Sequence, residues 1–239
     1  MAGTMTRGDM RLDATLAGSY YCDAQVLERE FERIFCRSWL CAGREERVKE
    51  PGDFFTVPVG RESVLVVRDR GGEARAFYNV CRHRGARLCS QEEGHLKTAL
   101  TCPYHAWTYA LDGRLIGTPH LHECEGFRRE EFPLHPVAIE AWGGFLFIHL
   151  DGERAAPLTA HLGPIPERLK RYPLAALRVG ARAAHEVGCN WKILVENYQE
   201  CYHCPGVHPE LCDLVPLYRT GIVDSSVSDD VAYFREGAC

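Results

Sequence analysis

The sequence predicts an α+β protein in which an all-β module follows an N-terminal helix and precedes the beginning of a second, helix-led domain. Three observations support this prediction. Apolar residues recur at helical spacing over 24–35, short apolar runs alternate with turn residues over 39–150, and a capped helical pattern starts at Asn190. We therefore divide the chain into a leader and helix at 1–38, a β-domain at 39–150, and an incomplete second domain at 151–239.

The composition is that of an ordinary globular protein, with 239 residues of which 46% are hydrophobic and 26% are charged. It excludes largely disordered and fibrous chains, and a net charge of −5 gives no reason to expect a nucleic-acid partner. No apolar run approaches the roughly 18 residues of a membrane span, and the first residues lack the apolar stretch of a secretory signal. We expect a cytoplasmic protein, in which the twelve cysteines are buried thiols or metal ligands.

The elements are predicted from periodicity and turn signals. An amphipathic helix is expected over Ala24–Phe35, and Asp112-Gly113 is the strongest short hairpin signal in the β-module. The proline-rich stretch Gly152–Pro173 is interpreted as a connector. The apolar side of the helix consists of Val26, Leu27, Phe31, Ile34 and Phe35. The predicted strands and the hairpin are Phe54–Val59, Val64–Val67, Ala74–Val80, Tyr109–Ile116 (the hairpin) and Trp142–Leu150.

Two short Cys-His pairs form the first candidate site. Cys81 precedes His83 by two positions, and Cys102 precedes His105 by three, each pair following an apolar run. The four residues are unconnected, form a Cys₂His₂ zinc site, or hold a [2Fe–2S] cluster with two cysteines on one iron and two histidines on the other. A zinc site usually takes both cysteines from one loop, whereas here each loop supplies one of each type. Neutral imidazoles in place of two thiolates raise the potential of a cluster.

These loops resemble those of a Rieske iron–sulfur domain. The resemblance rests on Cys81-Arg82-His83-Arg84-Gly85 and on Cys102-Pro103-Tyr104-His105-Ala106-Trp107, followed by Leu111-Asp112-Gly113. It implies that Cys81, His83, Cys102 and His105 bind one [2Fe–2S] cluster. Respiratory Rieske proteins carry a further cysteine in each loop, and the matching positions here hold Ala86 and Tyr104. The resemblance is therefore to the ferredoxin and oxygenase types.

A second candidate site follows Asn190, which is expected to cap a helix running to His203. Glu200 and His203 are three positions apart, and Pro205-Gly206 is expected to break the helix so that His208 turns back toward His203. Two histidines so placed are suited to one metal ion. Two other interpretations remain: the histidines are ordinary core and loop residues, or Cys201 and Cys204 form a redox pair or half of a zinc site.

The stretch from Asn190-Trp191-Lys192 to His208-Pro209 resembles the mononuclear iron motif of Rieske non-haem iron oxygenase α subunits, such as aromatic-ring-hydroxylating dioxygenases. The resemblance implies a helix-grip catalytic domain in which His203 and His208 bind ferrous iron. It also implies that Glu200 is the catalytic acid linking the cluster of one subunit to the iron of its neighbour. Electrons would come from NAD(P)H through a reductase, directly or by a ferredoxin, to activate dioxygen and hydroxylate an aromatic or other small organic substrate. The implied complete protein is a homo-oligomer, a trimer.

Two departures from the family pattern qualify these expectations. The family more often has Asp at the position of Glu200, and Glu there resembles oxygenases or demethylases of quaternary ammonium compounds of the carnitine, betaine or choline type. The family's carboxylate iron ligand lies well downstream of the second histidine, and none of the acids after His208 occupies that position. We therefore expect an N-terminal fragment that is inactive alone, with the third ligand beyond Cys239. A Rieske electron-transfer protein without oxygenase activity is the remaining alternative. The acids after His208 are Glu210, Asp213, Asp224, Asp229, Asp230 and Glu236.

Overall fold

A computed structural model describes residues 15–119, 121 and 126–220 of the chain. Most of the predicted leader (1–14) and the candidate acids Asp224, Asp229, Asp230 and Glu236 lie outside the described residues. The chain divides into two compact units, one formed by Glu28–Arg182 and the other by Met1–Leu27 together with Ala183–Cys239. The helices are α1 (Ser19–Cys22), α2 (Ala24–Arg33), α3 (Leu158–Leu162), α4 (Ile165–Leu169), α5 (Trp191–Gln199), α6 (Cys204–Val207) and α7 (Pro209–Leu214).

The unit 28–182 is built on two antiparallel sheets. The larger has seven strands in the order β1-β10-β9-β4-β3-β2-β5, and the smaller has three in the order β6-β7-β8. This confirms the predicted combination of helices with an all-β module. The strands are β1 (Leu40–Arg44), β2 (Asp53–Val59), β3 (Glu62–Arg68), β4 (Ala74–Tyr78), β5 (Glu93–His95), β6 (Ala99–Thr101), β7 (Thr108–Ala110), β8 (Leu115–Gly117), β9 (Pro136–Trp142) and β10 (Phe145–His149).

The two largest of three buried clusters in this unit lie on opposite faces of β3, because alternate side chains of a strand point to opposite faces. In β3, Val64 and Val66 belong to one cluster with Phe55, whereas Leu65 and Val67 belong to the other. That other cluster also contains the thiols of both predicted metal-binding loops. The core of the β-module therefore extends directly to the base of the first candidate site.

The last predicted strand is wrong in its limits. Trp142 ends β9 and pairs with Phe145, the first residue of β10, so Gly143 and Gly144 form a two-residue turn between them. Their φ angles of +60° and +77° are those of a hairpin turn that needs positive φ at both positions. The predicted connector at 152–173 is also partly ordered, since α3 and α4 lie within it and α3 packs on the β-module through Leu158.

The predicted N-terminal helix is confirmed, but it ends at Arg33 and a short 3₁₀ turn follows. Val26 is buried as predicted, whereas Ile34 lies beyond the helix and is 42% exposed. Helix α5 begins as predicted, because the Asn190 side chain accepts a hydrogen bond from the backbone N–H of Lys192. No helix among the described residues is both long and apolar enough to cross a membrane.

Candidate metal centres

The two Cys-His loops have the same backbone design. The N–H of Cys81 donates to the carbonyl of Ala86, and Gly85 N–H donates back to the carbonyl of Cys81. In the second loop, the N–H of Cys102 likewise donates to the carbonyl of Trp107, five positions later. The N–H of Ala106 donates to the carbonyl of Cys102. The fourth residue after each cysteine has a positive φ, +71° at Gly85 and +55° at Ala106. Each loop is therefore a closed turn that holds its cysteine at the base.

The four predicted cluster ligands form two pairs, in which the thiols are buried and the imidazoles are exposed. Cys81 and Cys102 are each only 3% exposed and belong to the buried core, whereas His83 and His105 are exposed. The two imidazole rings lie together, with 4.7 Å between their centroids. Burial is the main cause that raises the pKa of the Cys81 thiol, and the neighbouring Cys102 raises it further. The arrangement places a pair of thiols inside and a pair of imidazoles outside.

Tyr109 supports the thiol side of this site. Its side chain is fully buried, and its hydroxyl lies 3.3 Å from Cys81 Sγ and accepts a hydrogen bond of 3.1 Å from the backbone N–H of Arg82. Burial raises the pKa of Tyr109 far above its ordinary value, so the phenol keeps its proton. Because the backbone N–H of Arg82 already occupies the oxygen as a donor, the phenolic proton is free to point at the sulfur.

Aromatic side chains support the imidazole side. The indole of Trp107 lies parallel to the His83 ring, with an interplanar angle of 8° and 4.8 Å between centroids. Tyr104 lies beside His105 with 3.7 Å between ring centroids and is 62% exposed. Loss of solvation, reinforced by the neighbouring His105 and Arg84, lowers the pKa of His83. The lowered pKa favours the neutral form of an imidazole, which is the form that binds metal.

These residues fit a [2Fe–2S] cluster better than one zinc ion. A binuclear cluster takes two protein ligands at each iron, and the thiols and imidazoles are already sorted into two pairs.

The second candidate site is assembled by a turn rather than by a continuous helix. The prediction that the helix runs to His203 is wrong, because α5 ends at Gln199 and Glu200 has extended backbone angles. The Glu200 carboxylate nevertheless reaches His203, with 2.6 Å between Oε1 and Nδ1. Its other oxygen accepts a hydrogen bond from the backbone N–H of Tyr202. The hydrogen bond with His203 is the main cause that lowers the pKa of Glu200.

His203 and His208 are brought together as predicted. Their ring centroids lie 5.4 Å apart. The predicted break at Pro205-Gly206 is wrong in form, since these residues lie within the short helix α6, and His208 stands between α6 and α7. Because an ionised carboxylate is only an acceptor, Glu200 keeps the proton on Nδ1 of His203 and leaves Nε2 free for a metal ion.

Cys201 and Cys204 flank this histidine pair. Burial is the main cause that raises the pKa of Cys204 to about 11, and the neighbouring Cys201 contributes. Its sulfur lies 4.0 Å from Nε2 of His203. The apolar residues of α5 are not buried among the described residues, since Leu194 is 48% exposed and Tyr198 is 92% exposed.

Tyr109 and Trp107 are the functional candidates that the sequence alone did not reveal. Tyr109 lies 28 positions from the sulfur it contacts, and nothing in its local pattern distinguishes it from a strand residue of the core. Trp107 was part of the motif that carried the resemblance, but its parallel contact with His83 is visible only in the folded chain.

The chain matches two family models. The Rieske [2Fe-2S] domain matches residues 38–133, and the catalytic domain of the ring-hydroxylating alpha subunit matches residues 174–236. The first match contains both Cys-His loops, and the second contains the histidine pair and Glu200. The two matches follow each other along the chain in the order that the sequence predicted.

Several characterised proteins are similar to most of the chain. The carnitine monooxygenase oxygenase subunit of Acinetobacter baumannii is 40% identical over 83% of this chain and 53% of its own length. The glycine betaine monooxygenase oxygenase subunit of Pseudomonas aeruginosa is 39% identical over 82% of this chain and 45% of its own. A solved quaternary ammonium Rieske monooxygenase, described with carnitine oxidation and inter-subunit electron transfer, has a TM-score of 0.77 and 38% identity over 82% of this chain and 53% of that one. The chain thus spans about half the length of the relatives it matches.

Proposed function

Because the chain belongs to the family of Rieske oxygenase α subunits, we propose that it acts as the oxygenase component of a Rieske non-haem iron system. The system takes electrons from NAD(P)H through a reductase, with or without a ferredoxin, and oxygenates a small organic substrate. The observation that carries this proposal is the presence of both sites in one chain. An electron carrier needs only the Cys-His loops, whereas this chain also presents a carboxylate-supported histidine pair.

We assign Cys81 and Cys102 to one iron of the cluster, and His83 and His105 to the other. The support is the separation of buried thiols from exposed imidazoles described above. A separate ferrous ion is assigned to His203 and His208. Two histidines and a carboxylate occupy three coordination positions on one face of such an ion. The remaining coordination positions stay open for dioxygen and substrate.

The residues of the chain have distinct tasks in this proposal. When bound, the cluster supplies single electrons and the ferrous ion supplies the site of dioxygen activation. Tyr109 directs its proton at the sulfur of Cys81 and so stabilises negative charge there. Glu200 holds the proton at Nδ1 of His203, which fixes the tautomer and plane of the ring. In the complete oligomer, Glu200 is also proposed to link this site to the cluster of a neighbouring subunit.

We propose a quaternary ammonium compound as the substrate. Two of the similar proteins act on carnitine and glycine betaine by name, and Glu200 carries the acid type that resembles this subset. An aromatic substrate is the second candidate, because the matching catalytic model is that of ring-hydroxylating subunits. A quaternary ammonium group carries a permanent positive charge that its carbon isostere lacks. A site built for it therefore distinguishes the two by charge alone.

The domain limits and partners complete the proposal. We place the cluster domain at 39–150 after the leader and helix at 1–38, with catalytic-domain sequence at 151–239. A cytoplasmic location suits both a supply of NAD(P)H and cysteines that are all unpaired among the described residues. A trimer is proposed as the working oligomer, since it would bring the cluster of one subunit to the iron of the next.

The test is oxygenation by the complete oxygenase component, reconstituted anaerobically with iron and sulfide and supplied with a reductase and NADH. Carnitine and glycine betaine are compared with 3,3-dimethylbutanoate, in which carbon replaces the charged nitrogen of glycine betaine, and with biphenyl. We expect oxygen uptake coupled to product formation only with the quaternary ammonium compounds. Turnover of biphenyl alone would favour the aromatic candidate. A reduced cluster signal with no oxygenation of any substrate class would identify an electron-transfer protein instead.

A further inference from the structure

The two candidate sites orient their histidines by different means. At the second site, the Glu200 carboxylate accepts a hydrogen bond from Nδ1 of His203, which is the usual way a protein orients a metal-binding imidazole. At the first site, no hydrogen bond to the ring of His83 occurs among the described residues. An exposed imidazole without such a bond can rotate about its side-chain torsions, because the terminal torsion of His is broad. Packing against a rigid neighbour can then fix the plane of the ring.

The geometry points to Trp107 as the positioning residue of His83, an inference that rests on the proposed cluster assignment. The indole and imidazole planes differ by 8°, whereas the planes of His83 and His105 are inclined by 63°. Trp107 is only 6% exposed, so a rigid buried plane supports one face of an exposed ring. Rotation of the imidazole out of this plane would require it to collide with or leave the indole.

Contacts with both ligand loops and with two phenylalanine rings fix the position of Trp107. Its carbonyl accepts the N–H of Cys102, which ties it to the second ligand loop, while its indole contacts the first loop at His83. Phe127 and Phe132 lie edge-on to the indole at centroid distances of 5.8 and 6.0 Å. Trp107 therefore couples the two loops, so that the backbone of one sets the ring plane of the other.

The Phe127 and Phe132 segment is held against the site by Arg82. Its guanidinium donates to the carbonyl of Pro133 at 2.6 Å, next to Phe132. Arg82 immediately precedes His83, so the first loop contributes to the aromatic packing that supports its own histidine. This closed set of contacts explains how a surface imidazole keeps one orientation without a hydrogen bond from the described residues.

The test compares Trp107→Leu, Trp107→Phe and Phe127→Leu in the reconstituted protein. The reduced cluster is observed by electron paramagnetic resonance, and the hyperfine coupling of each ligand nitrogen is measured with ¹⁵N-histidine. We expect Trp107→Leu to change and broaden the coupling of one histidine nitrogen while the other stays as in the parent. Since an aromatic stack contributes about 0.5–1.5 kcal/mol, the variant should also lose its cluster to a chelator roughly 2–10-fold faster. Trp107→Phe, which keeps a flat ring, should restore most of the parent coupling.

Phe127→Leu is the matched control, because it removes a half-buried ring from the same aromatic group without touching His83. Since Phe127 lies behind Trp107, we expect this variant to lower the thermal stability and to change the nitrogen coupling less than Trp107→Leu does. Unchanged couplings in Trp107→Leu, or the same change in Phe127→Leu, would overturn the inference. If the parent protein showed no Rieske-type signal, the cluster assignment would fail instead, and the two failures are thereby distinguished.

Discussion

Replacing Tyr109 by Phe should lower the reduction potential of the cluster, because the phenol O–H lies 3.3 Å from Cys81 Sγ and reduction increases the negative charge on the ligands. A hydrogen bond to a charged group is worth about 1.5–3 kcal/mol. We take about 1 kcal/mol as the part gained on reduction. At ~59 mV per 1.4 kcal/mol for one electron, the potential of Tyr109→Phe falls by about 40 mV.

The same substitution should destabilise the fold only slightly. It leaves the backbone N–H of Arg82, 3.1 Å from the lost oxygen, without its acceptor. Because Arg82 is half-buried, water can partly replace that acceptor, and we expect a loss of about 1 kcal/mol in the free energy of unfolding. Removal of a cluster ligand would abolish the electron paramagnetic resonance signal of the cluster. An intact signal with a shifted reduction potential therefore shows that Tyr109 tunes the potential without binding iron.

Tyr78→Phe is the matched control for this prediction. Its hydroxyl donates to the carbonyl of Leu150 at 3.1 Å, in the other buried cluster of the β-module. The control should lose about 1 kcal/mol of stability while keeping the parent potential. Potentials are measured by redox titration followed by electron paramagnetic resonance. Equal potentials in Tyr109→Phe and the parent, with an intact signal, would refute the proposed bond between phenol and sulfur.

Cys81→Ser should abolish the cluster signal, whereas Cys89→Ser should retain it, since Cys89 lies outside both ligand loops and its backbone N–H and carbonyl bond to the Asn79 side chain; a lost signal in the second variant would refute the ligand assignment. In the complete protein, His208→Ala should remove the mononuclear iron, measured by metal analysis, while the cluster signal survives; full turnover would contradict its role. Glu200→Gln should keep both metals but slow cluster reoxidation in single-turnover kinetics, and an unchanged rate would exclude the carboxylate from that step. A hydrogen bond from the backbone N–H of Glu50, followed in size by the hydrogen bond with His95, lowers the pKa of Asp53. The ionised Asp53 side chain therefore stabilises the fold fully above an ordinary Asp pKa of about 4. This stabilisation is lost as the pH falls through the lowered pKa of the folded state. Asp53→Asn should therefore reduce stability to urea at pH 7 more than at pH 3, and an equal loss at both would refute the linkage.

Local chemistry explains what could be predicted from the sequence. The Asn190 cap and the Asp112-Gly113 hairpin depend on neighbouring residues alone, and both occur as expected. Gly113 has a φ of +89° between strands β7 and β8, a conformation that glycine adopts without strain. The two Cys-His loops were recognised for the same reason, since each contains its thiol, its imidazole and its turn within a few residues.

Features that depend on distant parts of the chain were not predicted. The turn at Gly143 and Gly144 was assigned to a strand, because an apolar run around it hides two strands that pair with each other. The sequence prediction extended helix α5 to His203, but Glu200 leaves the helix, and its carboxylate accepts a hydrogen bond from the backbone N–H of Tyr202. That choice reflects competition between a carboxylate and the helical hydrogen bonds, which periodicity does not register.

The shared backbone design of the two ligand loops has a consequence for how the site is filled. Gly85 adopts its positive φ freely, but Ala106, at φ +55°, bears a strain of about 1–2 kcal/mol because its Cβ crowds the following carbonyl. The second loop is therefore less stable than the first while no metal is bound, although both have the same backbone turn. We expect the first loop to keep its turn more firmly in the metal-free protein. The order in which the two loops bind iron would then follow from the difference between one hydrogen atom and one methyl group.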